Sequence, residues 1–385
     1  MPLPEVHLVG GTRAEAVRLA PVATAMREQA RIEPILFAAG PDPLTFTQTL
    51  DVFDLTPGLA VPVGADDAET IHRLDQLWSA RTPSAVVVQG DAGVSLAAAL
   101  AAYWRRIPVV HLDAGRRSAD LGSTGPVEPN RRLLTQVSTL HLAATPLAAM
   151  NLLDERVPAG DVLLTGNTAV DAALAIRDRR PPYADPSLAA LRDAEPDARP
   201  TQNGDQRAPH RLLAVGLEHT DGVALELVRA TVRRLAARYP DLDVVMLGAE
   251  PSGRSRRVVG AGPLGYADRA RLLAEAYLVL TDDGDLQEEA LSFGVPALLL
   301  HELTDRMEPL LAGCARVVGP EPEAMFTEMS QLLDSRVRRD AMTAVGNPYG
   351  DGLAAGRAAQ ATAALLGHGP FPEPMPARPQ AGVSR

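Results

Sequence analysis

The chain of 385 residues contains no lysine; all 37 residues counted as lysine or arginine are arginine. That absence excludes a Schiff-base lysine, a pyridoxal-phosphate anchor and a Walker-type phosphate lysine. Cationic work falls to guanidinium, a planar fork that grips phosphate or carboxylate in pairs and does not deprotonate. Cysteine is nearly absent too. The single Cys314 excludes an internal disulfide and a thiolate zinc cage. Aromatics are scarce at 4%, and 37 arginines against 48 acids leave a net charge of −11. That balance argues against nucleic acid and membrane surfaces as partners. No apolar run approaches the roughly 18 residues of a membrane-crossing helix. The eight histidines have no H-x-H or H-E-x-x-H spacing, and no G-x-S-x-G elbow occurs, so metal and serine-nucleophile chemistry find no support. The opening MPLPEVHLVGG lacks the charged and apolar regions of a signal peptide and reads as a strand. The expectation is a cytoplasmic globular protein.

What is present is a grammar of alternation. Short apolar runs at 6–10, 85–89 and 108–112 predict buried strands, and 13–29 and 94–104 carry helical spacing. Such βαβα order predicts a mostly parallel sheet covered on both faces. The alternation stops between 177 and 210, in RDRRPPYADPS and the proline-rich polar stretch behind it. It resumes with strands at 212–216, 244–247, 277–281 and 295–300 and helices at 223–239 and 286–293. The expected organisation is therefore a Rossmann-like domain over 1–180, a linker or long surface loop over 181–210, and a second Rossmann-like domain over 211–345. Five prolines among the last 18 residues predict a disordered tail over 368–385.

In open α/β sheets ligands bind beyond the carboxyl ends of the strands. Gly10-Gly11-Thr12-Arg13-Ala14-Glu15 follows the first strand. Thr12 and Glu15 have capping-box spacing. One reading stops there. The other has the glycines open a helix N-terminus to an anion, with Arg13 as its clamp. Asp91 and Asp113 follow two further strands. Each can be a helix cap, or the two can form an acid/base pair on neighbouring strands. Asp282-Asp283-Gly284-Asp285 follows a later strand and opens a helix carrying Glu288 and Glu289. The G-x-G-x-x-G at 260–265 matches a dinucleotide fingerprint, but it lies late in the chain with Pro263 in its turn, which argues against that use.

Taken together, GTRAEAVRLAP, GDAGVSLAAALAAYWRRIPVVHLDAGRR, PVEPNR, TGNTAVDA, LTDDGDLQEEALSFGVPALLL and NPYGDG resemble the non-hydrolysing UDP-N-acetylglucosamine 2-epimerases. The resemblance runs from Val6 to about Leu365. It implies an α/β fold of GT-B type: two doubly wound Rossmann-like domains facing across a cleft, the second binding UDP. A C-terminal helix over 346–367 would cross back to the first domain, and the protein would be a homodimer. The implied reaction inverts C2 of UDP-GlcNAc to give UDP-ManNAc by elimination and re-addition of UDP, with a UDP-sugar as substrate and no metal or other cofactor. Residue by residue, the resemblance makes Arg13 the diphosphate contact, Asp91, Asp113 and Glu128 catalytic carboxylates, and Glu289 the acid that holds the ribose. Asp283, Gly284, Arg131 and Arg306 join the substrate-binding set.

Several positions depart from the family pattern, among them Asp113, which stands where the family has glutamate. Val127 replaces a glutamate, Leu217 replaces a catalytic histidine with His219 two residues on, and Asp283 replaces a serine. Gly40-Pro41-Asp42 replaces the stretch tied to allosteric substrate binding, so no such activation is expected. Three readings stand: a 2-epimerase with a rearranged acid/base set including His219, a related nucleotide-sugar hydrolase or glycosyltransferase, and a catalytically weak sugar-nucleotide-binding homologue.

Overall fold

The computed structural model describes residues 2–40, 43–62, 67–118, 127–193, 210–249, 257–300 and 306–376. Positions 41 and 42 of the allosteric stretch lie outside them. In chain order the first elements are β1 (Glu5–Gly10), α1 (Arg13–Gln29), β2 (Glu33–Gly40), α2 (Pro43–Asp51), β3 (Leu59–Pro62), α3 (Asp67–Ala80), β4 (Ala85–Gln89) and α4 (Gly93–Trp104). They continue as β5 (Val109–Ala114), α5 (Val127–Val137), β6 (Leu140–Ala143), α6 (Pro146–Asp154), β7 (Val162–Leu164) and α7 (Thr168–Arg179). Then come α8 (Pro186–Asp193), β8 (Arg211–Gly216), α9 (Gly222–Arg238), β9 (Leu242–Leu247), β10 (Val258–Ala261), α10 (Tyr266–Glu275), β11 (Leu278–Thr281) and α11 (Gly284–Ser292). The chain closes with β12 (Ala297–Leu299), α12 (Glu308–Ala312), β13 (Ala315–Val317), α13 (Pro322–Asp334), α14 (Arg336–Thr343) and α15 (Ala354–Leu365).

Two compact units form, one from Met1–Ala172 with Pro348–Gln380, the other centred on Ala173–Asn347. The first holds a seven-stranded sheet in the order β3-β2-β1-β4-β5-β6-β7, and the second a six-stranded sheet in the order β10-β9-β8-β11-β12-β13. All pairings are parallel. In both sheets the chain order reverses beside the first strand of the unit, at β1/β4 and β8/β11. Those switch points are where strand-end residues converge. Val86, Val87 and Val88 of β4 are at most 1% exposed, as a strand covered on both faces must be. No described helix is long and apolar enough to cross a membrane.

Two expectations need correction. The stretch 181–210 is not wholly a loop. Asp185 caps α8, its Oδ1 accepting from the amides of Ser187 (2.8 Å) and Leu188 (3.1 Å). Leu188 is fully buried in the second unit's core beside Leu272 and Leu273. Asp268 of α10 fastens the approach by accepting from the amides of Ala184 and Asp185. The tail 368–376 is likewise ordered. It runs back over the first unit, where the Met375 amide donates to Leu164 O at 2.8 Å and the Met375 side chain is 3% exposed. Residues 377–385 lie outside the described residues. Helix α15 belongs to the first unit and packs against α1, with Gln29 Nε2 donating to Gly356 O at 2.9 Å.

Candidate active site

The capping box at the start of α1 is complete. Thr12 Oγ1 accepts from the Glu15 amide, and Glu15 Oε2 accepts from the amides of Gly11 (2.8 Å) and Thr12 (2.9 Å). Ser95 Oγ of α4 donates to Glu15 Oε1 at 2.9 Å. Burial pushes the Glu15 carboxyl up, and these donors pull it back. Glycine is required at Gly11, because a Cβ there would lie 2.0 Å from Ala39 O of β2. The turn is thereby pressed onto the sheet, and Arg13, half-buried, opens the helix beside it.

One strand over, the β4 and β5 ends bring Asp91 and Asp113 to the same sheet edge. Arg131 Nε of α5 donates to Asp91 Oδ2 at 2.6 Å, and Asn130 Nδ2 donates to Asp91 O at 3.0 Å. Asp113 is 9% exposed and sits at a bulge where the register with β6 shifts. Its φ of 62° is in the left-handed region, which costs a non-glycine residue on the order of 1–3 kcal/mol and gathers at functional positions. The bulge aims the carboxylate at Arg116 Nη2 (2.7 Å) and Gln89 Nε2 (3.5 Å), with Arg18 Nε at 3.9 Å. Each aspartate is thus paired with guanidinium, which holds it in one orientation.

Glu128 lies deeper than Asp91 and Asp113. It is 1% exposed, and its oxygens take the Ser118 amide (2.9 Å), Arg132 Nε (3.1 Å) and Arg131 Nη1 (3.5 Å). With its lone pairs committed, Glu128 holds Arg131, which in turn holds Asp91. Val127, in the departed glutamate position, is the first residue of α5.

In the second unit the β8 and β11 ends meet. Asp282 organises the turn after β8: its carboxylate accepts from the Glu218 amide (2.6 Å), the His219 amide (3.0 Å) and Thr220 Oγ1 (2.6 Å). Leu217 packs against the apolar core, and the side chain of His219 is exposed. Asp283 is the N-cap of α11, its Oδ1 accepting from the Asp285 amide at 2.8 Å. Arg306 lies across the helix start, with Nη2 donating to Asp285 Oδ1 and Nε to Glu288 Oε1, both at 2.7 Å. It can do so because residue 284 is glycine: a Cβ there would fall 1.3 Å from Arg306 Nη1. The Asp283 carboxylate is therefore tied to the helix turn and that of Asp285 is countered by a guanidinium.

Glu289, on the next turn, is 3% exposed and paired with Arg269 of α10, itself 6% exposed. Burial pushes the Glu289 carboxyl up, while the Arg269 guanidinium opposes that shift. Glu289 Oε2, Arg269 Nε and the neighbouring Gln287 Nε2 have no hydrogen-bond partner among the described residues. Such a buried set is suited to the hydroxyls of a ligand.

The structure assembles Asp91, Asp113, Glu128 and Arg131 in the first unit, with Arg13 at a neighbouring strand end. In the second it assembles Asp283, Gly284, Glu289 and Arg306, with His219 on the adjoining turn. Sequence reading misses Arg18 and Arg269, whose partners are distant in the chain, the turn-organising part of Asp282, and Arg116, which is close to Asp113 in the chain but meets it only through the bulge. His111 is missed as well. It is 1% exposed on β5, with Nε2 2.8 Å from Gly90 O. The G-x-G-x-x-G stretch begins at the end of an edge strand, β10, and its last glycine, Gly265, is the N-cap residue of α10.

The family model described as UDP-N-acetylglucosamine 2-epimerase matches residues 13–363. A probable UDP-N-acetylglucosamine 2-epimerase of Ralstonia solanacearum is 32% identical over 380 residues, covering 94% of this chain and 99% of the relative. The UDP-N-acetylglucosamine 2-epimerase of Escherichia coli K12 is 30% identical, covering 93% and 98%. Among solved structures, the S. aureus MnaA–UDP co-structure superposes with a TM-score of 0.83 at 28% identity over 97% of this chain and 100% of that one. The Neisseria meningitidis UDP-GlcNAc 2-epimerase bound to UDP-GlcNAc gives 0.77 at 27% identity, covering 91% and 97%. With strand-end acids and arginines in both units and a family match over nearly its whole length, this chain belongs to the UDP-N-acetylglucosamine 2-epimerase family.

Proposed function

We propose that the protein interconverts UDP-GlcNAc and UDP-ManNAc. The observation that carries this reading is the pair Asp91 and Asp113 on adjacent strand ends, each fixed by guanidinium, in a chain of this family. In the forward direction a carboxylate takes the C2 proton, the C1–O bond to UDP breaks, and C1=C2 forms. UDP then re-adds to C1 as C2 receives a proton on its opposite face. The C2–H bond is weakly acidic, so the departing diphosphate must be met by positive charge. Arg13 and Arg306 supply it, with Gly284 giving close access to the α11 backbone and Asp283 fixing that turn. Glu289, held by Arg269, accepts from the ribose hydroxyls. Asp91 and Asp113 exchange protons at C2, with Glu128 and Arg131 orienting Asp91, and His219 stands in for the histidine replaced by Leu217. No metal or cofactor enters the scheme. The protein works in the cytoplasm as a homodimer, a state favoured by Tyr103 and Trp104, 53% and 64% exposed at the end of α4.

The test is turnover in D₂O followed by proton NMR. UDP-ManNAc with deuterium at C2 supports the proposal. Free UDP with ManNAc or a glycal instead indicates hydrolysis, the reading favoured by Leu217 packing against the apolar core where the family has a histidine. No exchange at C2, with UDP still bound, leaves a binding homologue and sinks the enzymatic reading.

A further inference from the structure

We infer that His111 is a positioning residue for Asp91, resting on the reading that Asp91 exchanges the C2 proton. His111 lies mid-sheet on β5, 1% exposed, opposite Val88 of β4 and His141 of β6. Its Nε2 is 2.8 Å from the carbonyl oxygen of Gly90. A carbonyl only accepts, so Nε2 carries the proton. Burial lowers the imidazole to about 4, so near neutrality it is the neutral, single-donor form. The other ring nitrogen, Nδ1, has no hydrogen-bond partner among the described residues.

A buried imidazole with one nitrogen unsatisfied is a poor core residue, since the desolvation of that nitrogen is not recovered. An apolar side chain of similar size would pack between β4 and β6 at lower cost. What the imidazole alone provides is a bond to the peptide just before Asp91. Gly90 has φ of 69°, turning its carbonyl towards β5, and its amide donates to Leu112 O at 3.1 Å. The β4 turn is therefore bonded through both groups of one residue to β5, the strand that carries Asp113. With Asn130 Nδ2 on Asp91 O and Arg131 Nε on Asp91 Oδ2, the aspartate is fixed through its backbone, its carboxylate and the peptide before it. Removing the His111 bond leaves the half-buried Gly90 carbonyl without this donor and frees it to rotate. Asp91 moves with it.

The experiment compares His111→Leu with His111→Gln, whose amide can still donate to Gly90. The leucine variant is expected to melt no lower than wild type, while kcat for C2 hydrogen exchange falls roughly tenfold or more at nearly unchanged KM. A catalytic group displaced by about an ångström can cost on the order of a hundredfold. The glutamine variant recovers much of the rate. A His111→Leu protein whose melting temperature and rate fall together, without rescue by glutamine, shows a merely structural histidine and overturns the inference. A second readout does not depend on turnover: at fixed pH the carboxyl ¹³C chemical shift of Asp91 should move in His111→Leu and return in His111→Gln. An unmoved resonance refutes the positioning role even if wild type turns over no UDP-sugar, an outcome that would separately refute the epimerase reading.

Discussion

Gly284 shows how much one missing side chain can decide. The guanidinium of Arg306 occupies the space that a Cβ would fill, at the positive end of α11, where a cation is otherwise unwelcome. Asp285 and Glu288 keep it there. Gly284→Ala should expel Arg306 and leave Glu288, 1% exposed, without this partner; a loss of about 2–4 kcal/mol in chemical denaturation is expected. Arg13 tests the other unit. Arg13→Ala should weaken UDP binding roughly ten- to a hundredfold by calorimetry, as loss of a charge-assisted phosphate contact does; unchanged affinity would remove Arg13 from the diphosphate. At this scale the sequence is legible where chemistry follows a strand end directly, as at Asp91 and Asp113. It is silent where the partner is remote. Nothing near Glu289 in the chain announces Arg269, and nothing near Asp113 announces its left-handed backbone or Arg18.

Among the elements, long periodic segments such as α1, α4 and α9 are readable because one face must be apolar. The three- and four-residue strands β3, β6, β7, β10 and β13 are not, since so short a run has no measurable period. Helix α8 did carry its start signal, Asp185 before Pro186, but the prolines around it masked it. Helix α15 is joined to α7 through Asp171, whose Oδ1 accepts from the Ala355 amide at 2.9 Å. Burial raises the Asp171 carboxyl from 3.8 to about 6, and nearby Asp351 adds to the shift. The sign follows: the fold favours the protonated acid, so this group's stabilisation is full below about 4 and is lost as pH rises through about 6. Asp171→Asn keeps an acceptor and removes the charge. It should raise the melting temperature at pH 8, leave it nearly unchanged at pH 4, and add on the order of 3 kcal/mol above pH 7. A melting temperature lowered at pH 8 and unchanged at pH 4 would show that Asp171 is stabilising when ionised and overturn this sign.

For the molecule as a whole, the two-unit α/β architecture follows from the alternation of runs, whereas the order of the tail does not follow from composition. Prolines removed the amides that would announce a strand, so a segment that packs in extended form read as disordered. Sedimentation should give a particle of about 81 kDa, twice the 40.7 kDa chain, and Trp104→Glu should shift it to the monomer. A dimer that survives this substitution is built elsewhere. The tail itself has a consequence for solubility. Strand β7 ends its sheet, and an open strand flank invites the edge of another molecule. The segment through Met375 closes that flank at Leu164 with a stretch too rich in proline to pass the pairing on. Ending the chain at Gly367 should therefore bring concentration-dependent aggregation before it brings any loss of UDP binding, because what it removes is a barrier between copies of the protein.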